Sequence, residues 1–563
     1  MPLSKGCPAF KGSPGREITA VMWLYWILLV LLLLALLRRL LRGSSSPNPF
    51  SADCRRPPAP LVTDKDVRKK VIKQAFSAAK VPENLDAVVI GSGIGGLAAA
   101  VLLSKAGKRV LVLEQHGKAG GCCHTFSKKG FEFDVGIHYI GQLGERSLMR
   151  FLVDQLTEGQ LQWSKMPSVF DAVVLGEPGN GKTYRLYSGN KEYVEGLKKQ
   201  FPDEAVAIEK FVRLVKRVAQ GTTHMVILKM VPVPLVKFLS RTGLLAWFSP
   251  FFKMTSRSLT DVVNELTTNE ELRAVFSYIF PTYGVSVQKG QDLVNIFAPI
   301  VISDAGIFNT YERLLPAEIR TLPDIQAQLH MVDHGISGLS VFIGLNGSKE
   351  ELGLEGTNYF IYSHQNLDEA MNCFFTASRE EAAENIPILF VTSPSSKDPT
   401  WQERYPGKST LCILALAQYE WFEEWKEETV QKRGAEYESL KNAMVESILK
   451  TVLKLYPHLE DKIECISSGS PLTNQHYIAS PKGELYGAAH SISRLQAEAT
   501  AILRSQTCVP NLYLTGQDIC LCGFMGALQG AVLCASAVLQ RNLYSDMLRL
   551  WRNSPANNSK KKD

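Results

Sequence analysis

The stretch "VVIGSGIGGLAAAVLLSKAGKRVLVLEQ", residues 88–115, leaves the chain little choice of local fold. Asp86 to Ile90 is a short apolar run with β-branched residues, long enough for one buried strand. Gly91, Gly93 and Gly96 then fit the spacing G-x-G-x-x-G, with Gly95 inside the same turn. The first glycine permits the tight turn, the second lets backbone approach a pyrophosphate, and the third lets helix pack on strand. Leu97 to Ala106 reads as a packed helix, Gly107 as its stop, and Arg109 to Leu113 as a second strand. Glu114 ends that strand, 23 positions after Gly91. A carboxylate there accepts hydrogen bonds from both ribose hydroxyls of an adenosine and repels a 2′-phosphate. Strand, turn, helix, strand and acid in register predict an α/β, Rossmann-like dinucleotide-binding fold. A βαβ turn that binds nothing is the plain alternative.

The neighbouring residues choose the nucleotide. In "GKAGGCCHTF", Gly120 and Gly121 form a second glycine pair just beyond Glu114, as flavoproteins use to pass the chain beside FAD, and "GFEFDVGIHYIG" fits the same arrangement. Near the other end, "NLYLTGQDICLCGFMGALQGAVLCASAVLQ", residues 511–540, reads as a strand, a loop and a small-residue helix. In flavoproteins of the amine-oxidase type such a segment closes the site. Gly516 lies in the loop, and Asp518 is expected to bond the ribityl or phosphate region. A helix beginning near Gly526 and Ala527 would aim its positive end at the ring edge where reduced flavin gains negative charge. FAD is favoured over NAD.

At 563 residues there is length for two domains, and a net charge of +7 with dispersed basic residues gives no reason to expect nucleic acid. Eleven cysteines without a C-x-x-C pair make neither a zinc pattern nor a disulfide framework. Cys122, Cys123, Cys520 and Cys522 read as packing residues beside the proposed cofactor loops. Val21 to Leu37 is 17 apolar residues without a charge, followed by Arg38, Arg39 and Arg42. It is slightly short of the ~20 residues of a usual span and long for a signal-peptide core, so an uncleaved anchor is the first reading and a cleaved signal the second. The arginines favour a cytoplasmic main domain. The terminal Lys560-Lys561-Lys562-Asp563 resembles a di-lysine retrieval signal. Thr63 is expected to cap a basic helix running to about Lys80. His224 to Met254 holds no acid and four basic residues among apolar ones; it suits either a membrane face or substrate mouth, or ordinary helical core.

"FDAVVLGEPGNGKTYRLYSG" matches the phosphate-loop pattern at Gly176, Gly181, Lys182 and Thr183. The pattern needs a helix next, whereas "TYRLYSG" is short, aromatic and ends in glycine. It reads as the return strand of a hairpin.

Taken with "GSPLTNQHYIASPKGELYG" and "YEWFEEW", the two ends of the proposed site resemble the retinol-saturating branch of the carotenoid isomerase and phytoene desaturase family, from about Met22 to the C-terminus. The resemblance implies an FAD-dependent enzyme of the endoplasmic reticulum membrane that saturates the 13–14 double bond of all-trans-retinol. NAD or NADP is a candidate electron donor, directly or through a partner. A polyene isomerase or desaturase is the enzymatic alternative, and an inactive flavin-binding variant the other. No proton donor stands out; Tyr477, His476 and His490 lie in or near the right segment without a distinguishing feature. The expected organisation is an N-terminal segment (1–42), linker and basic helix (43–83), FAD-binding parts (84–190, 285–315, 462–542), an α+β substrate domain (191–284, 316–461) and a basic tail (543–563). Family members carry several dozen further residues between "FSYIFPTYG" and "GVSVQKGQDLV", including a Pro-x-Gly-Gly turn that this chain lacks. Residues 284 and 285 therefore read as the junction of an omission.

Overall fold

The computed structural model describes residues 46–72, 76–136, 138–279 and 298–554, with residues 27 and 31. The apolar N-terminal segment, the 284/285 junction and the lysine tail lie outside the described residues, apart from those two.

Two sheets organise the described chain. The first is wholly parallel, in the order β13-β7-β1-β2, where β1 is Ala87–Ile90, β2 Val110–Leu113, β7 Ile300–Ser303 and β13 Leu512–Leu514. Such strands carry continuous apolar side chains because helices cover both faces. The helices Ile94–Lys105 and Gly523–Val538 pack together on this sheet, with Ala98, Ala99, Leu102, Leu528, Ala531 and Ala535 in one core. Small residues let the two axes come close. β2 is the edge strand among the described residues, and all four of its residues are only half-buried.

The second sheet has seven strands in the order β12-β8-β11-β10-β9-β5-β6. These are β5 (Val169–Leu175), β6 (Lys182–Tyr187), β8 (Gly338–Asn346), β9 (Asn358–Tyr362), β10 (Ile388–Thr392), β11 (Lys408–Leu416) and β12 (Ile463–Gly469). Neighbours run antiparallel except β5 and β9. A short hairpin, β3 (Thr125–Lys128) and β4 (Phe131–Asp134), buries Phe131 and Phe133 against Phe342, Cys412 and Cys465. It couples the glycine-rich end of the first sheet to the second.

Several local expectations change. The β5–β6 pair and β12, grouped above with the FAD-binding parts, hydrogen-bond into the seven-stranded sheet. β6 pairs β5 and β12 pairs β8 antiparallel, while β5 pairs β9 parallel. Among the described residues the basic helix is Lys65–Ile72, and Asp64, not Thr63, accepts the first free N–H groups, from Asp66 and Val67. The phosphate-loop look-alike is a hairpin: Val174 pairs Thr183, Leu175 pairs Lys182, and no helix follows Lys182. Lys182 instead makes a surface ion pair with Glu271 at 2.6 Å. His224 to Met254 is helical in four pieces, broken before Val233, Leu244 and Pro250. Met225, Val226, Leu228, Val236, Phe251 and Phe252 pack inward, while Ile227, Phe238 and Trp247 face outward.

Candidate functional site

A cavity of about 1600 Å³ runs along the C-terminal ends of the parallel strands and is faced by loops of the second sheet. It is larger than the roughly 300–1000 Å³ of a single small-molecule site. Open parallel sheets bind ligands at this edge.

The glycine turn forms one wall. β1 ends at Ile90, Gly91 takes φ +100°, and the helix starts at Ile94 with Gly93 as its N-cap. Gly96 packs so tightly under Gly91 that a side chain there would strike the Gly91 carbonyl. The second glycine pair comes back against this turn: Gly120 donates to Ser92 Oγ at 3.1 Å, and a Cβ on Gly121 would lie 3.1 Å from Gly93 Cα. Gly91, Gly93, Gly95, Glu114, Gly121, Gly516, Asp518 and Ala527 line the cavity. Gly96, Gly120 and Gly526 do not; they shape the backbone behind it. Gly526 allows its helix to pass beneath the Leu521 carbonyl, and that helix begins at Gly523, one turn earlier than expected.

Glu114 is firmly ionised. Burial opposes this, but hydrogen bonds from His116 and Ser92 hold its carboxyl at about 2. Asp518 faces the cavity, yet its carboxylate already accepts the N–H groups of Ile307 and Ala488, at 2.8 and 2.9 Å. It ties two cavity loops together, and it keeps its place on the cavity wall. Burial pushes the half-buried Cys122 thiol up to about 11, so it is a neutral group on the wall, and Cys123 beside it is exposed. His476 reaches the cavity, and its carbonyl bonds His116 Nε2 at 3.0 Å. His490 lies off the cavity wall, and burial holds its imidazole down at about 2. Tyr477 is largely exposed.

Three cavity residues escaped sequence reasoning. Asp304, directly after β7, lies against the glycine turn. Arg313 and Arg433 also line the cavity, and buried guanidinium nitrogens of both, Nε in each and Nη2 in Arg313, meet no protein partner. Buried N–H groups of a cation without an acceptor suit an anionic ligand. A glycine cradle, an acid for a ribose and two guanidinium groups on the cavity lining together fit a dinucleotide.

A sequence profile of NAD(P)-binding Rossmann-like domains matches residues 89–156. An all-trans-retinol 13,14-reductase of Rattus norvegicus is 50% identical over 583 aligned positions, covering 92% of this chain and 96% of the relative. The Homo sapiens protein of the same name is 51% identical, covering 91% and 94%. The chain belongs to the all-trans-retinol 13,14-reductase family. Another member, an inactive all-trans-retinol 13,14-reductase of Danio rerio, is 35% identical over 87% of this chain and 92% of its own length. The rat alignment has more positions than this 563-residue chain has residues, so that family member carries residues absent here.

Proposed function

We propose that this chain is an FAD-dependent oxidoreductase that saturates the 13–14 double bond of all-trans-retinol, giving all-trans-13,14-dihydroretinol. One observation carries the reading: half of the residues are shared with the rat and human reductases across more than nine-tenths of the chain. The inactive relative is 15 percentage points more distant (50% against 35%), which favours the catalytic reading over an inactive variant. The prolycopene isomerase likeness covers only 23% of the chain, so isomerisation is the weaker enzymatic reading.

FAD, when bound and first reduced by the electron donor, would supply a hydride equivalent to one carbon of the double bond and return to its oxidised form, while a proton reaches the neighbouring carbon. The chain's own contribution is orientation and dryness. Glu114 accepts from the adenosine ribose, the glycine turn admits the diphosphate, and Arg313 and Arg433 present unshared N–H groups in the same cavity. The first turn of the helix Gly523–Val538, with Gly523, Phe524 and Ala527 on the wall, favours negative charge at its N-terminus. NAD or NADP is the proposed source of electrons.

A polyene alcohol partitions into lipid, so we also place the protein at the endoplasmic reticulum membrane. Among the described residues no single helix is long and apolar enough to cross a bilayer. The support is the outward side of Val233–Arg241 and Leu244–Phe248, which presents Phe238 and the 77%-exposed Trp247 on helices that also carry Lys237, paired with Glu498, and Arg241. An aromatic and basic surface of this kind suits a headgroup interface. The test of function is incubation of the flavin-loaded protein with all-trans-retinol and a reductant, followed by chromatography. A product two mass units heavier supports saturation; an isomer of unchanged mass would replace it with isomerisation.

A further inference from the structure

Asp304 stands where the glycine turn would receive a diphosphate. β7 runs between β1 and β13, and its last hydrogen bonds, Asp304 N–H to Ile90 O at 2.7 Å among them, carry Asp304 onto the turn. Its Oδ2 lies 2.6 Å from where a Cβ on Gly93 would sit, and its Oδ1 lies 2.5 Å from that position on Gly516. Gly95 is approached just as closely. The carboxyl accepts the backbone N–H of Gly96, a donor in the first turn of the helix Ile94–Lys105. Free N–H groups of that first turn are what a helix offers to a phosphate. The protein's own carboxylate therefore sits at the positive end of the helix, against the cavity-lining Gly93, Gly95 and Gly516, where the cofactor's anion would bind.

The surroundings make a negative charge there costly. Burial among protein atoms is the main reason its acid is raised to about 7, with the Asp518 and Glu114 carboxylates adding repulsion. Cys122, Cys123 and Cys534 also face it, and burial keeps the Cys122 and Cys534 thiols neutral across the working range. Glu114 stays ionised throughout, so it adds a constant repulsion and no titration of its own. A diphosphate entering this cavity brings two further negative charges and displaces water, which disfavours the carboxylate more strongly.

We propose that ionised Asp304 is an internal competitor of the cofactor's diphosphate, and that dinucleotide binding requires Asp304 as the neutral acid. This rests on the reading of the cavity as the FAD site. It makes binding a proton-coupled step: above the titration of free Asp304, each FAD bound takes up one proton. Affinity then falls about tenfold per pH unit. Below that titration it is flat.

The experiment titrates FAD, and separately ADP-ribose, into the full chain between pH 6 and pH 9. ADP-ribose carries the same adenosine diphosphate without the ring system. The expected result is a dissociation constant that rises toward tenfold per pH unit at the alkaline end for both ligands. Calorimetry at pH 8.5 in buffers of differing ionisation enthalpy should show close to one proton taken up. Asp304→Asn, of the same shape, should remove the slope and bind at least tenfold more tightly than the unaltered chain at pH 8.5. If that variant does not fold, the proton count on the unaltered chain decides. A flat profile with no proton uptake overturns the proposal while leaving the FAD site standing. Binding of ADP-ribose but not FAD, with the slope present, supports the proposal and removes the flavin reading. Binding of neither ligand at any pH overturns both.

Discussion

Ser92 and Glu114 hold each other across the glycine turn: the backbone N–H of Ser92 donates to Glu114 Oε2 at 3.1 Å, and the Ser92 hydroxyl to the same oxygen at 2.5 Å. His116 donates to the other oxygen from its backbone N–H, at 2.9 Å. The acid that ends β2 thus also braces the loop that begins at β1. Glu114→Ala removes a ribose acceptor and this brace together. Hydrogen bonds to charged groups are worth about 1.5–3 kcal/mol, so flavin affinity should fall roughly ten- to a hundredfold. Fluorescence titration measures it, and an unchanged affinity would show that Glu114 serves the loop alone. The pH dependence has a definite sign. Because the folded carboxyl is held at about 2 against an ordinary 4.5, the stability it contributes is complete above that ordinary value. It is lost as pH falls toward 2.

Gly93 permits no side chain. Asp304 Oδ2 is 2.6 Å from the Cβ position and Gly121 packs on its other side, so Gly93→Val should abolish flavin retention. Protein of that variant purifying with a full yellow chromophore would refute the assignment of the turn.

Much of this turn was legible before any coordinates, because strand, turn, helix and acid are contiguous and each local preference agrees with the others. The same holds for β13 and the helix after it. Asp304 was not legible. It is one aspartate in "VISDAG", and its role exists only once β7 has inserted between β1 and β13. Arg313 and Arg433 likewise meet the cavity through tertiary folding of distant segments. The strands of the second sheet were hidden for another reason: β8 and β11 are buried on both faces and show little alternation to read.

Lys182→Ala should leave folding and retinol reduction nearly unchanged. The lysine belongs to a hairpin and its partner Glu271 also bonds Tyr184, so what is lost is one exposed ion pair, worth about 0–1 kcal/mol. Loss of an ATP-dependent activity in this variant would restore the phosphate-loop reading.

Asn346 ends β8, is exposed, and begins an Asn-Gly-Ser sequon. With the seven-stranded sheet on the cytoplasmic side, as the arginines after the apolar segment favour, this site should stay unglycosylated. A mass shift on treatment with a glycosidase would put the sheet in the lumen. Carbonate-washed microsomes should retain the protein if Val21 to Leu37 is an uncleaved anchor.

The edge position of β2 bears on the residues that the rat reductase has and this chain lacks. Among the described residues β2 has no neighbour on its outer side, and a parallel edge left so exposes N–H and C=O groups and half-buried valines and leucines, which promotes aggregation. The expected outcome is that inserting the family's segment between Gly284 and Val285 raises both flavin occupancy and the rate of retinol saturation above those of this chain. Flavin absorbance and product chromatography at matched protein concentration check it. Equal flavin content and turnover in both proteins would show the segment to be dispensable.

The parallel sheet is also distributed in time. β1 and β2 emerge from the ribosome early, β7 nearly two hundred residues later, and β13 only when the chain is almost finished. Until Leu514 is made, β7 has no neighbour on its outer side, and Gly516 and Asp518 do not yet exist to close the cavity. The nascent chain must therefore carry a half-built, apolar sheet through most of its synthesis, the stage at which exposed strand edges invite misassembly. Cofactor loading is confined to the time after Asp518 has been made. A truncation anywhere before residue 512 removes the site as completely as deleting the glycine turn itself.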